Sequence, residues 1–160
     1  MKYICSLITV ENMSHSKLFY EEVMKQKIKY DLGENVLFEG GFAIHLKSHF
    51  AKLIDHKPIT SPSNNFELYF EFDDVDSFVK KLKSNEIEFI HEIKEQPWRQ
   101  KVVRFYDPDK NIIEVGESLE FLSFRLSKEG KSIEEISKII GLPIDFVFES
   151  IQKMKRAGYN

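Results

Sequence analysis

An α+β fold is predicted, in which two similar βαβββ modules over residues 1–117 line one shared cleft and a helical tail occupies residues 118–160. Three observations carry this. The order strand, helix, three strands occurs twice, with opening strands roughly 62 residues apart. Apolar residues alternate along the strand segments and recur at helical spacing between them. The last 43 residues (118 to 160) repeat neither module and read as helices alone.

The first module, about residues 1–47, opens with Tyr3–Val10, rich in β-branched and large apolar residues. Asn12 or Ser14 caps the following helix, whose apolar stripe is Met13, Leu18, Phe19 and Val23. Strands then fit Lys27–Asp31, Asn35–Glu39 and Phe42–Leu46, with turns at Gly33 and Gly40-Gly41. A polar linker from Ser48 to Asn65 contains Pro58 and Pro62. The second module, about 66–117, starts with the strand Phe66–Phe72 and a helix capped by Asp74 and ending at Ser84-Asn85. Strands at Ile87–Ile90, Lys101–Tyr106 and Asn111–Gly116 complete it, the last two joined by the turn Asp107-Pro108-Asp109-Lys110. In the tail, Leu119, Leu122, Phe124 and Leu126 mark one helix. Ser132 and Glu135 form a capping box before a second, Gly141 stops that one, and Pro143 begins a third.

With 42% hydrophobic and 31% charged residues, the composition is that of a globular domain with a real core. A formal charge of −3 gives no electrostatic footprint for nucleic acid or an anionic membrane surface. No stretch approaches the roughly 18 consecutive apolar residues of a membrane span. The beginning, MKYICSLITVENM, lacks the features of a signal peptide, and the solitary Cys5 excludes an internal disulfide, so a cytoplasmic location is the expectation.

Strand parity selects the residues that face the cleft. In the second opening strand, Phe66, Leu68, Phe70 and Phe72 share the face that meets the helix, because leaving it wet forfeits roughly 2 kcal/mol per ring. Glu67 and Tyr69 therefore face the other way. By the same alternation, Ala43 and His45 oppose Phe42, Ile44 and Leu46, and Glu114 opposes Ile113 and Val115. Cys5 stands in the first opening strand where Glu67 stands in the second, which makes two equivalent pairs, Cys5 with Glu67 and His45 with Glu114. Thiolate, imidazole and carboxylate are metal donors. Each also has a plain reading: Cys5 as a small core residue, His45 held by a neighbour's hydrogen bond, and Glu67 and Glu114 paired with a basic group such as Arg104, Arg99 or Lys101.

Three stretches, ITVENMSHSKLFYEEVM, YFEFDDVDSFVKKLKSNEIEF and VVRFYDPDKNIIEVGE, cover nearly all of residues 1–117. In them the chain resembles the vicinal oxygen chelate superfamily of glyoxalases, extradiol dioxygenases and bleomycin- and fosfomycin-resistance proteins, and FYDPDKNIIEV is the most specific piece. The resemblance implies a U-shaped mixed sheet, a homodimer and a small-molecule ligand in the concavity. Glyoxalases place histidine or glutamine, glutamate, histidine and glutamate at four metal-binding positions. The matching residues here are Cys5, His45, Glu67 and Glu114, of which only Glu114 keeps the usual type. A cysteine favours a softer divalent metal, so zinc or nickel is implied rather than iron.

Two functions from different classes follow from the resemblance. One is a metal-dependent lyase or isomerase acting on a small carbonyl or enolisable substrate, with Glu114 or Glu67 as the catalytic base. The other is a metal-free binding or sequestration protein like the bleomycin-resistance members, with Tyr69, Trp98, Arg99 and Phe105 contacting the ligand. The tail string EGKSIEEISKIIGLPIDFVFESIQKMK resembles a small helix-turn-helix unit. Asp145 and Glu149 on its second helix oppose phosphate contact, so the tail is expected to pack on the sheet domain or support a dimer.

Overall fold

The structure, a computed structural model, describes residues 1–159. It divides into two compact units, one of Met1–Glu67 with Tyr106–Ile112 and one of Leu68–Phe105 with the chain from Ile113 onward. Each unit carries one four-stranded mixed sheet built from a βαβββ sequence, so the fold is α+β.

In unit 1, β1 (Ser6–Val10) leads to α1 (Met13–Leu18), which continues as a π-helical turn over Phe19–Val23. Then come β2 (Ile28–Asp31), β3 (Asn35–Phe38), β4 (Phe42–Leu46) and α2 (Lys47–Leu53). The strand order is β1-β4-β3-β2, with β1 parallel to β4 and the remaining neighbours antiparallel. Asn12, rather than Ser14, caps α1 by accepting the His15 N–H at 3.0 Å. Tyr20 from the π-helical turn is fully buried and packs on Phe38 and Phe42, with ring centroids 5.5 and 5.1 Å away. The opening strand is shorter than its composition suggests, since Tyr3 and Ile4 lie outside β1 and are exposed. The linker also contains a helix, α2, which lacks a side-chain cap and follows β4 without a break.

Unit 1 includes the Asp107-Pro108-Asp109-Lys110 turn, and its bonds explain why this stretch is so specific. Asp107, 3% exposed, accepts from the Tyr20 hydroxyl at 2.8 Å, the Asp109 N–H at 2.9 Å, and both the N–H and the side-chain amide of Asn111 at 2.8 and 2.9 Å. Asp109 accepts from the Glu11 N–H at 2.7 Å and the buried Ser16 hydroxyl at 2.9 Å. Burial pushes the Asp107 carboxyl above the ordinary aspartate range, and pushes the Tyr20 phenol well above its own.

In unit 2 the sheet runs β5 (Glu67–Glu71), β8 (Ile112–Gly116), β7 (Lys101–Tyr106) and β6 (Phe89–Glu95), each element joining the unit where its residues do. Asp74 caps α3 (Val75–Ser84) by accepting the Ser77 N–H, and Val75, Phe78, Val79 and Leu82 bury its apolar stripe. The second strand of this module starts at Phe89 instead of Ile87, because the Ile87 N–H closes the end of α3 on the Leu82 carbonyl and Glu86 adopts a left-handed φ of 54°.

The tail forms α4 (Leu119–Lys128), α5 (Ile133–Ile140) and α6 (Ile144–Arg156). Leu122, Phe124, Leu126, Ile136, Val147, Ile151 and Met154 make its core. Ser132 and Glu135 form the capping box, and Gly141 ends α5 at a φ of 73°, where a side chain would be strained. No helix among the described residues is long and apolar enough to cross a membrane.

Replacing Asp107 with Ala strands a buried tyrosine hydroxyl and two backbone N–H groups, so chemical denaturation should show a loss of about 3 kcal/mol. In that background Tyr20→Phe should cost less than in wild type. Additive losses in the double-mutant cycle would remove the Tyr20–Asp107 bond from the account.

Candidate functional site

Of the four candidate metal donors, His45, Glu67 and Glu114 lie on β4, β5 and β8, and Cys5 lies just before β1. On β4, His45 pairs in register with Thr9 of β1 and Asn35 of β3. Cys5, partly exposed, precedes β1 and lies four residues from Thr9. At roughly 3.3 Å per extended residue this separates the Cys5 and His45 levels by about 13 Å. Within unit 1 they are therefore not brought together. Glu67 is exposed at the start of β5.

His45 is buried and has both ring nitrogens engaged. The Asn35 amide nitrogen, a donor only, lies 2.9 Å from Nδ1, which places the ring proton on Nε2. Nε2 faces Nδ1 of His49, on α2, at 2.8 Å, and His49 Nε2 lies 3.7 Å from a Glu34 oxygen. The result is a directed chain, Asn35 to His45 to His49, with the Glu34 carboxylate near its end. Burial first, then the charge of His49, hold the His45 pKa below the ordinary histidine value, so the ring is neutral near pH 7. His49 was not expected to contribute, since it falls in the polar linker; its i, i+4 spacing from His45 was the available signal.

In unit 2, Glu114 is 6% exposed and makes a close ion pair with Arg104 of the neighbouring β7. Arg104 also faces Nε2 of His91 at 3.4 Å. The buried carboxylate thus obtains the cationic partner that its surroundings require. Among the described residues, no three His, Cys, Asp or Glu side chains within either unit are gathered as a metal-holding group. With Glu114 committed to Arg104 and His45 to Asn35 and His49, the donors as arranged do not fit a metal centre.

The four expected ligand contacts separate into two kinds. Tyr69 and Trp98, 46% and 41% exposed, are tied to one buried amide. Gln100 Oε1 accepts the Trp98 indole N–H at 2.8 Å, while its Nε2 donates to the Tyr69 hydroxyl at 3.0 Å. Gly116 of β8 makes room for this arrangement, because a Cβ there would lie 3.1 Å from Gln100 Nε2, 3.2 Å from Val102 and 3.4 Å from the Tyr69 ring. The Tyr69 phenol is pushed up to about 12, chiefly by burial and then by Glu71, so it stays protonated. Arg99 and Phe105 have other duties, contrary to expectation. Arg99 pairs with Glu95 at 2.6 Å and Glu129 at 3.2 Å. Phe105 is fully buried and packs on Phe78 of α3 with ring centroids 6.0 Å apart, because its parity puts it on the helix side of β7. Gln100 itself had no sequence signal beyond adjacency to Trp98.

A family model described as Glyoxalase-like domain matches residues 3–120. The chain therefore belongs to the glyoxalase-like family, within the vicinal oxygen chelate superfamily. It is similar at 39% identity to a protein of unknown function from Agrobacterium tumefaciens str. C58, over 74% of this chain and 94% of that one, with a TM-score of 0.67. At 21% identity it shares its fold with a lactoylglutathione lyase from Agrobacterium tumefaciens, over 73% and 93% of the two chains (TM-score 0.58). At 14% identity it does so with the fosfomycin resistance protein FosX from Listeria monocytogenes, over 74% and 93% (TM-score 0.56). No curated protein matches the chain.

The neutral buried His45 has a definite pH signature. Its folded pKa lies below the unfolded value of about 6.5, so the unfolded chain takes up the proton first as pH falls. Stability from this group is present above about pH 6.5 and is lost as pH falls through the folded pKa. Urea unfolding between pH 7.5 and 5 should show a steeper fall for wild type than for His45→Gln. Parallel slopes would count against the buried neutral ring.

Proposed function

We propose that the chain is a metal-independent binding protein for a small planar, ring-bearing molecule, in the manner of the superfamily's bleomycin-resistance members. The observation that carries this is the pair of half-exposed rings, Tyr69 and Trp98, held at the two ends of the buried Gln100 amide. Two rings fixed by hydrogen bonds lose little freedom when a flat ligand stacks on them, and each stacking contact adds about 1 kcal/mol beyond the area it covers. The Arg104–Glu114 pair, on the same face as Val102 and Gly116 by strand parity, supplies a polar edge with both charges compensated. A deprotonated Tyr69 would repel the Glu71 carboxylate beside it, and its raised pKa removes that cost.

The metal-dependent lyase or isomerase is the competing reading, with Glu114 or Glu67 as base and zinc or nickel on Cys5, His45, Glu67 and Glu114. It requires Glu114 to leave Arg104 and His45 to leave at least one of its partners.

The experiment is a titration of chelator-treated protein with 2-naphthol, followed by calorimetry and by the indole N–H resonance of the single tryptophan. Binding should be detected without metal. Tyr69→Ala and Trp98→Ala should each weaken it about tenfold, the equivalent of roughly 1.4 kcal/mol. Binding that appears only after zinc or nickel is added, together with metal uptake lost in Glu114→Gln, would replace this reading with the metalloenzyme.

A further inference from the structure

The family match ends at residue 120, whereas the polar network behind the Tyr69–Trp98 pair reaches Arg125 on α4. Glu117, between β8 and α4, is 1% exposed. Its carboxylate takes two bonds from Arg125, Nη2 to Oε1 at 2.6 Å and Nε to Oε2 at 3.1 Å. Oε1 also accepts the Lys101 N–H at 2.9 Å, and the Glu117 carbonyl accepts Gln100 Nε2 at 2.7 Å. Arg125 donates further to the Arg99 carbonyl at 2.7 Å and to Glu129 at 2.7 Å. Three consecutive residues at the entry to β7 are therefore held: residue 99 by its carbonyl on Arg125 of the tail, residue 100 by its side chain and residue 101 by its N–H, both on Glu117.

The geometry of that loop is one that needs holding. Arg99 has a φ of 71°, a conformation that costs a non-glycine residue about 1 kcal/mol or more. Its guanidinium bonds to Glu129, the same glutamate that Arg125 engages. Trp98, immediately before this residue, has its indole on Gln100.

We propose that Arg125 and Glu117 are positioning residues for ligand recognition. The helical tail acts through them to set where Trp98 and Gln100, and through Gln100 also Tyr69, stand toward the ligand. The inference rests on the ring-binding reading for its ligand, but the positioning of Trp98 does not. Arg125 touches no ligand; it orders the loop that does. Glu117, Arg125 and Lys101 also line a cavity of about 370 Å³ together with Asp73, Asp74 and Asp76.

The test uses the full chain with Arg125→Lys, which keeps the charge and loses the two-pronged bond, and Gln100→Leu, which cuts the path at its far end. Lys153→Ala, which breaks a bond internal to the tail, serves as control. In ligand-free protein, both Arg125→Lys and Gln100→Leu should shift or broaden the Trp98 indole resonance while far-ultraviolet circular dichroism stays native. Affinity for 2-naphthol should fall about tenfold in each, and the control should change neither. An unchanged indole resonance in folded Arg125→Lys overturns the proposal, as does a shifted resonance with wild-type affinity. If wild type binds no 2-naphthol, the ring-binding reading fails separately, and the indole resonance of the variants alone decides whether the tail positions Trp98.

Discussion

A carboxylate withdrawn almost wholly from water must be paired and fully hydrogen-bonded, and in unit 2 much of the structure is arranged around meeting that demand for Glu117. Breaking such a pair typically costs about 3–5 kcal/mol, because the remaining charge is left uncompensated. The requirement draws Arg125 inward from α4 and fixes the Lys101 N–H at the start of β7. The flanking residues extend the effect. Gly116 leaves room for Gln100 and Tyr69, and Ser118 caps α4 while bonding Asp73. Three successive residues thus connect the sheet, the aromatic pair and the tail. A tail with its own apolar core could have been a loosely tethered appendage; the buried ion pair makes it part of the unit.

Glu114 poses the same electrostatic problem and solves it with Arg104, which bears on the choice of chemistry. A guanidinium and a divalent cation compete for one carboxylate. At an effective dielectric of 20, a dication about 5 Å from a guanidinium is repelled by roughly 7 kcal/mol. A metal at this position would need the arginine to swing away and find another partner. His45 is constrained in a similar way, since its two ring nitrogens are satisfied by Asn35 and His49 and burial favours the uncharged ring. Both residues keep the donor chemistry of the superfamily while spending it on protein partners.

Strand parity made much of this legible before any coordinates. The period of two placed His45 opposite Phe42 and Ile44, and Glu114 opposite Ile113 and Val115; the need of a buried carboxylate for a basic partner offered Arg104, Arg99 and Lys101, and the β7–β8 pairing chose Arg104. The cap at Asp74, the Ser132–Glu135 box and the stop at Gly141 were legible because each rests on a local bond or a local φ. What escaped depends on tertiary context. Cys5 looked equivalent to Glu67 by position, but alternation reports a face and not a level along the strand, and the level came from the β1–β4 register. Helix α2 has no capping residue to announce it. Phe105 was expected among the aromatic ligand contacts, although its parity with Val103 pointed to the core. Gln100 and Arg125 could not be seen, because nothing local tells a polar residue that will be buried from one that will be solvated.

The stretch that carries the resemblance most specifically holds two aspartates whose bonds serve the fold. In FYDPDKNIIEV, Asp107 and Asp109 collect hydrogen bonds from Tyr20, Ser16, Asn111 and three backbone N–H groups, all within unit 1. Those bonds demand aspartates at a fixed spacing on a tight turn, a demand any ligand chemistry in this fold would inherit. Three of the four positions where glyoxalases place metal ligands carry different residue types here, Cys5, His45 and Glu67. Membership of the family rests on the match over residues 3–120, and the activity must be argued from the residues of the site itself. In this chain those are Gln100, which joins two aromatic rings, and Arg125, which lies beyond the matched region and holds the loop that presents them.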